Sequence, residues 1–287
     1  MKTSTQLKAL IRNLSQKLNV EAEVLWRNFM IERFLERVAV SNYKRNFILK
    51  GGMLIAAMVG IGTRSTMDLD ATIKGHTITE HEIIVIINEI LNTPFDDGVI
   101  FSYQNIEEIR EGAEYPGYRV SLSAVFDKTR QTVKIDITTG DIITPSEIEY
   151  SYKLMFENRA ICLMAYNLET ILAEKFEAII TRGIANTRMR DFYDIYILSS
   201  TQSINIKRFN MALRKTVSRR NTINQIADVK EIIRMIEMSS IMIDLWQRYQ
   251  QKYSYASDIA WESVMKSIKV LSEESERVIH SAGGIDE

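Results

Sequence analysis

One cysteine, Cys162, stands in 287 residues, which excludes an internal disulfide framework and a cysteine-based zinc site. Three histidines, His76, His81 and His280, are too few and too scattered for a histidine metal site. Three prolines and 12 glycines argue against long disordered linkers. No stretch approaches the ~18 uninterrupted apolar residues of a membrane span. The charged start of the chain is followed by no apolar run, so no secretory signal is read and the expected location is the cytoplasm. A net charge of −1 does not announce a nucleic-acid binder. Acidic residues are locally missing, however. Residues 195–227 contain none, while Lys207, Arg208, Arg214, Lys215, Arg219 and Arg220 fall there. With 46% hydrophobic and 25% charged residues, the chain has the make-up of an ordinary globular protein with one large core or two smaller ones.

Hydrophobic periodicity divides the chain. Residues 5–18 and 20–40 read as amphipathic helices, with Leu25, Phe29, Ile31, Phe34, Leu35 and Val38 at roughly helical spacing. Residues 47–49 read as a short strand that runs into Lys50-Gly51-Gly52. A helix over 53–59 follows, ended by Gly60 and Gly62. Strands are predicted over 67–73, 99–104, 118–126 and 132–137, with a turn at 127–130, and a helix over 80–91. After about residue 145 the predicted elements are helical: 168–182, 189–198, 206–217, 229–249 and 257–279. The expectation is therefore an α+β half over 1–145 and a mainly helical half over 146–287, with 281–287 frayed.

The first half carries a carboxylate pattern. Asp68 and Asp70 flank Leu69, and period two puts both on one strand face. Two like charges that close repel by roughly 1 to 4 kcal/mol. A divalent cation removes that cost, and Mg²⁺ prefers carboxylates together with phosphate oxygens. Asp136, between Ile135 and Ile137, completes an all-oxygen set if its strand lies beside the first. It would hold an ion or act as a base. The plainer reading of all three is solvated carboxylates on open sheet faces. Gly51 and Gly52 open a helix, where free amides and the helix dipole bind anions; taken alone, the pair is more plainly read as a tight turn with nothing bound. Arg64, beside Ser65 and Thr66, either helps to hold a triphosphate or pairs with a sheet carboxylate.

In the second half, Glu174 and Lys175 lie on a helix whose apolar stripe is Leu172, Phe176 and Ile179. A lysine there is ordinarily a solvated one. Arg182, Arg188 and Arg190 bracket a turn containing Gly183. Asp191 and Asp194, three apart, share a helix face. The basic run from Lys207 to Arg220 either tracks a phosphate backbone or is the solvated side of a helix.

Taken in order, Gly-Gly, Arg-x-Thr-x-Asp-Leu-Asp, Lys-x-Asp-Ile, the Leu168–Lys175 segment and Arg190-Asp191-Phe192-Tyr193-Asp194 resemble the AbiEii/AbiGii toxin family. These are nucleotidyltransferase-like toxins of abortive-infection and toxin–antitoxin systems, related to the MenT toxins. The resemblance runs from about Phe47 to about Leu198. It implies a DNA-polymerase-β-like nucleotidyltransferase core with a mixed sheet and a helical C-terminal domain contributing Lys175 and Asp191/Asp194 to the cleft. It also implies a nucleoside triphosphate substrate, two Mg²⁺ ions on Asp68, Asp70 and Asp136, and a triphosphate grip by Gly51, Gly52, Arg64, Ser65 and Lys175. Asp191 or Asp194 takes part in the chemistry, tRNA is the implied acceptor, and an antitoxin is the implied partner. Many nucleotidyltransferases carry Gly-Ser where this chain has Gly51-Gly52, so no hydroxyl at position 52 touches a phosphate. Arg182, Arg188, Arg190, Lys207, Arg208, Arg214, Lys215, Arg219 and Arg220 are the expected RNA surface. Small-molecule nucleotidyl transfer of the antibiotic-modifying kind, and nucleotide binding without turnover, are the alternatives.

Overall fold

The computed structural model describes residues 3–75, 79–109, 117–226 and 228–279. His76, His280 and the expected fraying of 281–287 fall outside these. The chain forms two compact units. The first comprises Met1–Asp141 and Glu147–Tyr166, the second Ile142–Ser146 and Asn167–Glu287.

The first unit opens with α1 (Ser4–Leu18) and α2 (Ala22–Val40). It continues through β1 (Phe47–Lys50), α3 (Gly51–Val59), β2 (Leu69–Ile73), α4 (Glu80–Leu91), β3 (Val99–Glu108), β4 (Gly117–Phe126), β5 (Thr129–Thr139), β6 (Ile148–Lys153) and β7 (Ala160–Ala165). The seven strands form one mixed sheet in the order β3-β4-β5-β2-β1-β7-β6. β2 lies parallel to β5 and β1 parallel to β7, while the other neighbours are antiparallel. β4 and β5 form the expected hairpin, with a tighter turn than predicted. Asp127 sits there at φ 52°, a left-handed conformation that aspartate tolerates. The Asp127 carboxylate also accepts hydrogen bonds from the backbone and hydroxyl of Ser4, which tethers α1 to the turn.

The boundary expected at 145/146 is not where the units part. β6 and β7 belong to the sheet of the first unit and were not read from the sequence. Glu149, Tyr150 and Ser151 interrupt any apolar run in β6, an edge strand paired on one side only. β7 takes its place because it pairs with β1, a contact made across more than 100 residues that no local pattern reveals.

α2 is also richer than its apolar spacing suggests. Glu32, Arg33, Glu36 and Arg37 are buried along with its hydrophobic residues. Arg37 holds both oxygens of Asp97, at 2.7 and 3.0 Å, and donates to the carbonyl of Val99 at 2.8 Å. Arg33 pairs with Glu36 and Glu157, and Arg159 pairs with the same two carboxylates. Glu32 accepts the backbone N–H of Met155 at 3.0 and 3.2 Å. The network ties α2 to the β6–β7 loop by charge rather than by apolar contact, consistent with the rule that buried charges are paired.

The second unit is built from α5 (Leu168–Arg182), α6 (Met189–Thr201), α7 (Ile206–Arg220), α8 (Val229–Met238), α9 (Ser240–Lys252) and α10 (Trp261–Ile279). Asn167 caps α5 by accepting from the N–H of Thr170 at 2.8 Å. Its amide also donates to the carbonyls of Thr144 and Ser146, so residues 142–146 travel with the helices. The single helix expected over 229–249 is two. Ser239 ends α8 and caps α9, its hydroxyl accepting from the N–H of Met242. Phe176 packs edge-on against Phe209 between α5 and α7, with ring centres 6.0 Å apart.

Burial pushes the Glu32 carboxyl up to about 8 from 4.5. Folded protein therefore keeps a proton that the unfolded chain gives up above about 4.5. The contribution of Glu32 to stability should be greatest below that value and fall as pH rises towards 8, by roughly 1.4 kcal/mol per pH unit at the steepest. Glu32→Gln keeps an acceptor for Met155 and should flatten that fall, measured as urea-unfolding free energy between pH 5 and 8. An unchanged slope would show that Glu32 is ionised in the folded chain.

Candidate active site

The register of the first unit sets a row of charge across four neighbouring strands. Lys50 on β1 pairs in register with Asp70 on β2, Asp70 with Asp136 on β5, and Asp136 with Arg119 on β4. Residues directly opposite in a sheet share a face, so the side chains run Lys50, Asp70, Asp136, Arg119 in sequence. The opposite face carries Leu69, Ala71, Ile135 and Ile137, all fully buried. The expected neighbouring of the Asp70 and Asp136 strands is thus realised residue against residue. Asp68 lies one residue ahead of β2 instead of within it.

Each member of the row has its own partner. Arg119 grips Asp136 with both ends of its guanidinium, Nε to Oδ1 and Nη2 to Oδ2, each at 2.7 Å. Hydrogen bonding from Asp136 raises the Arg119 pKa, and the charges of Asp136 and Asp68 add to the rise. Lys50 donates to the hydroxyl of Thr138 at 2.6 Å and pairs with Asp141, whose carboxylate also accepts from the hydroxyls of Thr138 and Tyr166. Asp70 accepts the N–H of Gly52 at 3.2 Å. The amide at the start of α3, read as a phosphate donor, is therefore already facing a carboxylate.

Gly51 explains why this approach is possible. It sits at φ +64°, and a Cβ there would lie 2.1 Å from Asp70 Oδ2. A Cβ on Gly52 would lie 2.8 Å from Thr66 Oγ1 and 3.4 Å from the Arg64 guanidinium. Arg64 is buried against this turn, donates to the carbonyl of Ser65 and stands beside Ser65 and Thr66 just before the carboxylates. Asn28 of α2 fixes the same loop, its amide donating to the carbonyls of Thr66 at 2.7 Å and Val24 at 2.8 Å.

Lys50, Arg119, Asp141 and Asn28 are the residues that sequence reasoning did not assign. Lys50 stood in the motif without a role. The other three are found only from the strand register and from the packing of α2.

The donor set suits a hard cation, because Asp68, Asp70 and Asp136 offer only oxygen. Among the described residues no three acidic, histidine or cysteine side chains already converge on one point. At Asp136 both oxygens are taken by Arg119.

In the second unit Lys175 is not a solvated lysine. Only 15% of its side chain is exposed, and its ammonium lies 2.8 Å from Asp191 and 2.7 Å from the fully buried Asp194. Burial pulls its pKa down, Asp191 and Asp194 pull it up, and the carboxylates win. The shared face expected for Asp191 and Asp194 is what lets one lysine serve both.

The basic residues divide. Lys207, Arg208, Arg214 and Lys215 are on the exposed side of α7, opposite buried Phe209, Ala212, Leu213, Thr216 and Val217; Arg219 is half-buried. Arg220 pairs with Glu177. Arg190 donates to the Tyr253 hydroxyl at 2.7 Å and covers its ring. Arg182 and Arg188 are exposed, and burial together with neighbouring Arg188 and Arg220 lowers the pKa of Arg182.

The glycines give a ranked test. Gly51→Ala meets left-handed strain of about 1–2 kcal/mol and a collision with Asp70. Gly52→Ala needs no left-handed backbone but meets Thr66 Oγ1 at 2.8 Å and Thr66 Cβ at 3.1 Å, so Thr66 must give by a few tenths of an ångström. Urea unfolding should show a clear loss for the first and a smaller one for the second. Equal losses would contradict the geometry of the turn.

Two solved structures from Helicobacter pylori are similar. One is a candidate nucleotidyltransferase, 14% identical, covering 90% of this chain and 97% of that one at a TM-score of 0.48. The other, JHP933, is 16% identical and covers 92% and 97% at a TM-score of 0.47. No curated protein matches the chain. A family model described as the nucleotidyl transferase AbiEii toxin of type IV toxin–antitoxin systems matches residues 33–267. That span covers most of the chain, and it contains the glycine turn, the three aspartates and the Lys175 cluster, so the protein belongs to the AbiEii family of nucleotidyltransferase toxins.

Proposed function

We propose that the protein transfers a nucleoside monophosphate from a nucleoside triphosphate to an acceptor hydroxyl, in a Mg²⁺-dependent reaction, and that the acceptor is the 3′ end of tRNA. The observation that carries the transfer is the pairing of Asp70 with Asp136 in register, with Asp68 just ahead and the start of α3 beside them. Mg²⁺ held by Asp68, Asp70 and Asp136 would polarise the α-phosphate and ease loss of the hydroxyl proton.

In this reading Gly51 leaves room for the Asp70 carboxylate at the start of α3, and the Gly52 N–H would turn to a phosphate oxygen once a cation holds Asp70. Arg64 and Ser65 line the same turn. Asp136 would hold the ion that eases loss of the proton from the attacking hydroxyl, or accept that proton itself. The hydroxyl oxygen bonds to the α-phosphorus, the bond to the β-phosphate oxygen breaks, and pyrophosphate leaves. Lys175, Asp191 and Asp194 enter through the family resemblance. The tRNA reading is supported by the exposed basic side of α7 and by Arg182 and Arg188, which offer a backbone-tracking surface on the second unit. Nucleotides added to tRNA would block aminoacylation and so translation, which is a toxin's effect. An antitoxin partner follows from the family, and no helix among the described residues is long and apolar enough to cross a membrane.

The test is incubation of the purified full chain with total bacterial tRNA, Mg²⁺ and each α-labelled nucleoside triphosphate. Label should appear on tRNA and fall at least about a hundredfold in Asp68→Ala, as for loss of a group essential to the chemical step. Pyrophosphate release without labelled tRNA would move the acceptor to a small molecule or another RNA. Binding of the triphosphate with neither signal would contradict turnover.

A further inference from the structure

We propose that Arg119 is a latch on Asp136, holding both oxygens of that carboxylate until a divalent cation displaces it, so that Arg119 sets the metal affinity of the site. The inference rests on reading Asp136 as a metal ligand. Asp70 and Asp136 are side by side on parallel strands, and like charges at that spacing repel. Of the two cations in the row, Lys50 is already committed to Asp141 and Thr138. The other, Arg119, is bonded to Asp136 through two parallel hydrogen bonds of 2.7 Å, an arrangement that only the planar guanidinium supplies. Neither Asp136 oxygen can take a metal in its bonded direction while that grip lasts.

The grip is nonetheless reversible by its position. A third of the Arg119 side chain and about a fifth of that of Asp136 are exposed, at 33% and 18%, so water and a divalent ion can reach the pair and compete with the guanidinium. Nothing buried is orphaned when it opens, because the guanidinium can turn to solvent. Arg119 is near the start of β4, paired in register with Glu107 of β3 and Asp136 of β5, so its backbone is held on both sides while the side chain can swing. It is a positioning residue, acting on the reaction through Asp136.

The experiment is Mn²⁺ binding to the full chain without nucleotide, followed by the electron paramagnetic resonance of free Mn²⁺. Arg119→Gln removes the latch and should tighten binding about three- to tenfold. Arg119→Lys keeps the charge but cannot span both oxygens, so it should also tighten binding, by a smaller factor. Asp136→Asn should weaken binding. If Arg119→Gln tightens binding but Arg119→Lys matches the wild type, a diffuse charge effect explains the gain and the latch is overturned. If Asp136→Asn weakens binding while neither Arg119 variant tightens it, the latch falls and Asp136 stands as a ligand. If Asp136→Asn binds Mn²⁺ as the wild type does, Asp136 is no ligand and both readings fall. Should Arg119→Gln fail to melt cooperatively, the charge-preserving Arg119→Lys variant alone decides.

Discussion

Two carboxylates held side by side on adjacent parallel strands are the constraint on which the first unit is organised. Asp70 and Asp136 cannot be separated without shifting the β2–β5 register, and such a shift would also turn Leu69, Ala71, Ile135 and Ile137 out of the core. The repulsion has to be met locally. Arg119 meets it on one side, and the amide of Gly52 meets it on the other. The glycine at 51 follows from the same demand, since a side chain there would occupy the place of the Asp70 carboxylate. What looks in the sequence like a phosphate motif is, in the folded chain, first a device for accommodating negative charge.

The second unit solves a similar problem with opposite emphasis. Asp194 is fully buried, and Lys175 is the cation that makes its burial tolerable while also holding Asp191. A role for Lys175 in nucleotide binding therefore has to be separated from its part in the stability of α5 and α6. Loss of activity on its removal cannot be read as lost substrate contact alone.

Much of this was legible beforehand, for identifiable reasons. The shared face of Asp70 and Asp136 was legible because strand alternation is local and their apolar neighbours mark the buried face, whereas Asp68, read into the same strand, lies just ahead of it. Helix spacing placed Asp191 and Asp194 on one face. α4 was read to its observed bounds because its isoleucines repeat cleanly and Thr79 caps it. Arg119 could not be found this way. It is exposed enough to pass for an ordinary strand residue, and only the β4–β5 register sets it opposite Asp136. β6 was missed because polar residues break its run, β7 because its pairing with β1 is distant in sequence, and the buried charges of α2 because a helical wheel records charge as surface. Arg190 and Arg220, expected on an RNA surface, also bond to Tyr253 and pair with Glu177, partners that tertiary packing fixes and no local pattern shows.

The central claim is that the carboxylate row of the first unit is what makes this family member a toxin. The most direct measurement is growth of bacterial cells expressing the wild type or Asp70→Asn at matched soluble levels, with folding of the variant verified by its melting curve. The substitution keeps the shape and an acceptor for Gly52 while removing the charge that a cation needs. The account predicts growth arrest by the wild type and near-normal growth with the variant. Undiminished arrest by a folded Asp70→Asn protein would contradict it.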